Sequence, residues 1–178
     1  MALEFTTSYM RDALAMMRQY KALGEKAMAQ ADENGLQARL DPEMNSIALI
    51  VKHLAGNMRS RWTDFLTADG EKPDRQRDRE FEDAPATRAE VMAMWEEGWA
   101  HVFTALEPLS DDDLVRKVTI RGETHSVMQA ITRQIAHYAL HVGQMVFLAK
   151  HLSGGTWKSV SIPRGESEAY NRKVRAER

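Results

Sequence analysis

Four stretches of this chain repeat apolar residues every three to four positions, and that period commits most of its length to amphipathic helices around a shared core. The first spans about residues 5–30, with Phe5, Tyr9, Ala13, Met16, Met17, Tyr20 and Leu23 on one stripe. The second is expected to open at Asp41-Pro42, an N-cap followed by a proline suited to the first helical position, and to run to about Leu66. Its stripe is Ile47, Ile50, Leu54, Met58 and Phe65. The third starts at Thr87, where Glu90 completes a capping box, carries Val91, Trp95, Trp99, Val102, Phe103 and Leu106, and stops before Pro108. The fourth starts at Ser126, paired with Gln129, and ends at Gly154-Gly155.

Almost no strand signal accompanies these stripes, so the expected fold class is all-α, a helix bundle in which every stripe faces one interior. About twenty polar residues, Thr67 to Ala86, separate the second and third helices. That is long for a tight turn and long enough to cross the bundle from end to end, which would set those two helices parallel. The stretch Arg116 to Gly122 permits a small hairpin before the fourth helix. The tail from Thr156 reads as irregular, with Trp157, Ile162 and Pro163 against the bundle and a frayed basic end. A chain of 178 residues is expected to form one domain, 1–178.

Charge and composition narrow the chemistry. With 24 basic and 26 acidic residues the net charge is -2, which gives no cationic field for nucleic acid or anionic lipid. The longest apolar stretch, about residues 126–152, is broken by Gln129, Arg133, Gln134, His137, His141 and Gln144, so no membrane span is expected. The early acid in the first residues argues against a secretory signal, and the expected location is cytoplasmic. There is no cysteine. Disulfides, thiolate metal sites and cysteine nucleophiles are therefore excluded, and any metal must be held by N and O donors.

His137 and His141 stand four apart, so on a helix their imidazoles project from one face and can reach one ion. At 100° per residue His141 falls near the middle of the apolar face, with Gln134 beside it and His137 on the flank. On the second helix the same advance places Asn57 and Arg61 inside the apolar sector and His53 at its margin. Polar groups on core-facing stripes cost a few kcal/mol unless paired, about 1–3 from mutational data, so the two rows form either an internal hydrogen-bond network or a polar cavity with a ligand. Three neutral imidazoles from two facing helices would leave coordination positions for water or substrate. His101, His125 and His151 read as structural or solvated, and the charged run around Asp74 to Asp83 as a solvated loop. Trp95 and Trp99 read as core, with an exposed portion available for a dimer seam. Arg61 suits either an anionic substrate or a salt bridge.

Three segments together resemble the DinB-like superfamily of bacterial four-helix bundles, in particular a subfamily without an assigned activity. They are Ser46-Ile-Ala-Leu-Ile-Val-Lys-His53-Leu-Ala-Gly-Asn57 through Arg61-Trp62, then Gln134-Ile-Ala-His137-Tyr-Ala-Leu-His141-Val-Gly-Gln144, and Ser161-Ile-Pro-Arg-Gly165. The resemblance covers nearly the whole chain. It implies an up-down-down-up four-helix bundle with a long crossover between helices two and three, and a divalent metal held by His53, His137 and His141. Zinc or nickel fits those donors first, with iron and copper as further candidates. Asn57, Arg61, Gln134 and Gln144 become candidates for substrate or supporting contacts. Members of the superfamily include thiol S-transferases, so the implied activity is a metal-dependent transfer of a low-molecular-weight thiol to an electrophilic substrate. The alternative is a non-catalytic metal or small-molecule binding protein of stress response. Broad apolar faces and the habit of related proteins also predict a homodimer.

Overall fold

The computed structural model describes residues 6–176 and is mostly helical, with six α-helices and one short hairpin among those residues. In chain order they are α1 (Tyr9–Met28), α2 (Glu33–Gln37), α3 (Ile47–Trp62), α4 (Arg88–Leu106), β1 (Lys117–Ile120), β2 (Glu123–Ser126), α5 (Val127–Leu152) and α6 (Ser167–Ala176). Phe5, expected on the first stripe, lies outside the described residues.

The two capping boxes form as expected. Thr87 and Glu90 open α4, and Ser126 and Gln129 open α5, each pair satisfying backbone N–H groups that the first turn leaves free. The start of α3 differs from the expectation. Asp41 turns the chain locally, accepting from the Glu43 N–H at 2.9 Å, and the helix begins only at Ile47. Ser46 is its cap, with a side chain that accepts from the Leu49 N–H at 3.2 Å. The helix also ends at Trp62 rather than Leu66, because Thr63 is extended and Asp64 takes a positive φ of 48°. Phe65 still reaches the core, its ring 4.7 Å from that of Trp62.

α3 lies along α4, α1 lies along α5, and α3 faces α5. Gly98 permits the first of these approaches, since a Cβ there would meet the Ala55 Cα at 3.0 Å. Met17, Leu54, Trp62, Trp95, Trp99 and Tyr138 fill the centre. Trp95 and Trp99 are fully buried, so neither offers the exposed edge considered for a dimer seam. No helix among the described residues is long and apolar enough to cross a membrane.

The hairpin allowed for between Arg116 and Gly122 forms and runs on to Ser126. Arg121 and Gly122 take φ of 55° and 77°, the left-handed pair that suits a two-residue turn between right-twisted strands. The long connection after α3 is pinned to it: the Gly70 N–H donates to Thr119 O at 2.8 Å, and the Asp69 carboxylate accepts from the Arg121 and Gly122 N–H groups, each at 2.8 Å. The tail also departs from expectation. Trp157 packs on the core, but Ile162 and Pro163 are exposed, and residues 167–176 form a helix without a buried residue.

Candidate metal centre

His53 stands in the middle of α3, and His137 and His141 occupy successive turns of α5 on the facing side. Their ligand atoms lie within 4.8 Å of one another. His53 Nε2 and His137 Nε2 are 3.3 Å apart. Two nitrogens on a tetrahedral ion with bonds of about 2.0–2.1 Å would be separated by roughly 3.3–3.4 Å, so this edge already has coordination length.

Two of the rings turn their Nδ1 away from that centre. His53 Nδ1 donates to the Glu80 carboxylate at 2.8 Å, and His141 Nδ1 donates to Gln144 Oε1 at 2.9 Å. Each therefore turns its Nε2 towards the cluster, the orientation that an outward hydrogen-bond partner on Nδ1 gives to metal-binding histidines. His137 Nδ1 is buried without a partner. Phe81 stacks on the His53 ring at 4.6 Å and restrains it further.

Glu80 belongs to a short 3₁₀ turn, Asp78–Phe81, inside the charged run that the sequence presented as solvated loop. It is instead buried. Arg75 clamps it with Nε and Nη2 at 2.8 and 2.9 Å, and Arg75 Nη1 donates in turn to Glu71 at 3.0 Å. Gly56 makes the approach possible, because a Cβ at that position would stand 2.5 Å from Glu80 Oε1.

The other sequence candidates divide. Gln134 Nε2 donates to Asn57 Oδ1 at 2.6 Å and to the Tyr138 hydroxyl at 3.1 Å, so these two join a core network beside the histidines. Gln144 touches His141 from an exposed position. Arg61 is buried at the cavity wall, 4.0 Å from Glu71. His101, His125 and His151 stay outside the cluster: His101 lies by Thr63, His125 lies by Glu123, and His151 is exposed.

A family model described as "Protein of unknown function (DUF1572)" matches residues 4–166. The chain belongs to that family. No curated protein and no solved structure matches it. The DUF1572 match contains all three histidines and Glu80 and ends one residue before α6.

Electrostatics in this DUF1572 chain keep the imidazoles ready to coordinate. Burial, reinforced by His141, His53, Arg75 and Arg61, pushes the His137 pKa down to about 3. Burial also lowers that of His141, against the pull of Gln144. Both rings are thus neutral over the physiological range, as ligands must be. For Glu80, burial favours the protonated form, but the bonds from His53 and Arg75 outweigh it and hold its pKa below the ordinary carboxylate value. The three-histidine group can hold a metal ion. Glu80 and Arg75 escaped the sequence reading because a loop carries no periodicity. A faint signal existed in Gly56, a mid-helix glycine three residues after His53, which costs roughly 1 kcal/mol and marks a close approach.

Proposed function

We propose that this chain is a DinB-like protein that binds one divalent metal through Nε2 of His53, His137 and His141 and transfers a low-molecular-weight thiol to an electrophilic substrate. The observation that carries the metal reading is the convergence of the three imidazoles, with the Nε2 atoms of His53 and His137 3.3 Å apart and the Nδ1 atoms of His53 and His141 turned outward to Glu80 and Gln144. Support for an up-down-down-up four-helix bundle comes from the order of contacts. Tyr9 meets Thr132 and Gln30 meets Ser153, a parallel register for α1 and α5. Arg18 meets Glu107 while Arg88 reaches back to Met28, an antiparallel one for α1 and α4. Ala55 against Gly98 and Thr63 against His101 fit α3 parallel to α4 across the long connection.

A divalent ion bound there supplies the Lewis acidity that lowers the pKa of a thiol or water. The chain's own part is to hold three neutral donors in place, with Glu80 fixing the His53 tautomer. The thiol must arrive as a cosubstrate because the chain has no cysteine. Zinc or nickel is the proposed ion, and iron or copper suits the same donors. Elemental analysis of protein purified without a histidine tag tests the metal. Incubating the loaded protein with small thiols and an electrophilic dye tests the transfer, and rates equal to those of the histidine variants would remove it.

We also propose a cytoplasmic homodimer. Leu140 and Phe147, 60 % and 62 % exposed on α5, give an apolar face that one chain leaves uncovered. Light scattering should give about twice the 20.2 kDa of one chain, and a monomer at every concentration would overturn it.

A further inference from the structure

The histidines open onto a cavity of about 240 Å³ whose wall carries five arginines, Arg61, Arg75, Arg77, Arg121 and Arg133, and no carboxylate. They come from four parts of the chain: Arg61 from α3, Arg75 and Arg77 from the long connection, Arg121 from the hairpin turn and Arg133 from α5, one turn before His137. Their acidic partners are too few to neutralise them. Arg75 is saturated by Glu80 and Glu71. The same Glu71 is all that Arg61 and Arg121 share, at 4.0 and 3.4 Å. The acid beside Arg77 is Asp78, 3.7 Å away with a side chain 96 % exposed.

Arg61 is the decisive member. Its side chain is 4 % exposed, yet Nε and Nη1 have no hydrogen-bond partner. A buried guanidinium donor without an acceptor is costly, and burial here already works against its charge. A divalent cation beside these arginines would add to that positive field, which an anion in the cavity would offset.

We propose that the cavity takes a small anionic substrate, with a carboxylate or phosphonate-type oxyanion held by Arg61 and Arg133 next to the three histidines. The planar guanidinium fork matches either group through paired N–H···O bonds, which a neutral ligand cannot reproduce. This names the substrate class of the proposed metal site and rests on that reading for its catalytic meaning, while the binding itself depends on the arginines.

Calorimetry on the full chain, zinc-loaded and metal-free, with succinate, methylphosphonate and the neutral analogue succinamide provides the test. At least one anion should bind, succinamide should not, and the tighter anion identifies the head group. Arg133→Gln, at an exposed rim position, should weaken binding about tenfold or more, and Arg61→Gln at least as much; Arg59→Gln, outside the cavity, should leave it unchanged. Circular dichroism melts check that Arg61→Gln still folds, and Arg133→Gln decides if it does not. Absence of anion binding in both forms, equal binding of succinamide, or affinities unmoved by Arg133→Gln would overturn the proposal, leaving ordered water as the partner of Arg61. Anion binding in a chain that takes up no metal would instead remove the metal reading and keep this one. Metal uptake without anion binding would do the reverse.

Discussion

Two polar clusters sit side by side between α3 and α5, and they are finished differently. In one, Gln134 bonds Asn57 and Tyr138, and Trp62 Nε1 donates to the Tyr138 hydroxyl at 2.7 Å, so the buried side chains answer one another. In the other, His137 Nδ1 and two Arg61 nitrogens are left without partners, and three imidazole nitrogens converge. A closed network ties helices together and asks for nothing further. An open one leaves polar groups of a cavity wall without protein partners, where water or a ligand can answer them.

The largest effect that could break this contrast is loss of metal. His53→Ala, His137→Ala and His141→Ala should each abolish stoichiometric metal, whereas Ala at His101, His125 or His151 should leave metal per chain unchanged. Bound metal should raise the melting temperature of the wild type by mass action, and chelation should reverse the gain. Equal metal content across the six variants would erase the distinction between the clusters. Loss of helical circular dichroism in all three ligand variants would assign the ion a structural role.

Next in size is the support behind His53. Glu80→Gln keeps an acceptor for Nδ1–H but removes the charge that Arg75 and His53 share, and should weaken metal binding about 10–100-fold. Gly56→Ala should act in the same direction by displacing the Glu80 side chain, whose Oε1 would stand 2.5 Å from the new Cβ. Competition with a chromogenic chelator measures both. An unchanged affinity in Glu80→Gln would make the carboxylate a loop anchor only.

These variants mark the boundary of what the sequence made legible. Helix spacing put His137 and His141 on one face, and Thr87 and Ser126 announced their capping boxes, because those signals are local and periodic. Periodicity put His53 at the margin of the stripe on the facing helix, and the resemblance named it as the third ligand. Glu80 was invisible because its role depends on a fold-back of 27 residues onto α3, across a loop whose charges looked solvent-facing. The start of α3 was misplaced because Asp41-Pro42 has cap chemistry that a local turn uses first, leaving Ser46 to cap the helix. In the tail, α6 lacks any buried residue, so no apolar stripe announced it.

Acidification offers a smaller effect that separates the clusters again. The pKa of His137 is near 3 in the folded chain and 6.5 when unperturbed, so below about 6.5 the unfolded chain binds the proton that the folded one refuses. Stability from this group is complete above 6.5 and is lost as pH falls towards 3, by at most about tenfold in the unfolding constant per pH unit. Glu80, with its pKa lowered, adds a loss of the same sign below 4.5. Urea melts of metal-free protein should steepen in this sense, and His137→Gln should flatten the slope above pH 4.5. A slope shared by wild type and variant would place the acid sensitivity elsewhere.

The smallest expected effect comes from the closed cluster. Tyr138→Phe removes the hydroxyl that accepts from Trp62 Nε1 and Gln134 Nε2 while keeping the ring that packs 5.3 Å from Trp99. Trp62 is buried and left without an acceptor, so the variant should lose about 1–3 kcal/mol of stability. That corresponds to roughly 2–4 °C in melting temperature for each kcal/mol in a chain of this size. Metal affinity should not change, because no histidine bonds to that hydroxyl and Gln134 keeps Asn57. Chemical denaturation and metal competition on the same preparation separate the two readouts. A tenfold loss of metal affinity in Tyr138→Phe would mean that the clusters form one network, with the ligand geometry set through Gln134.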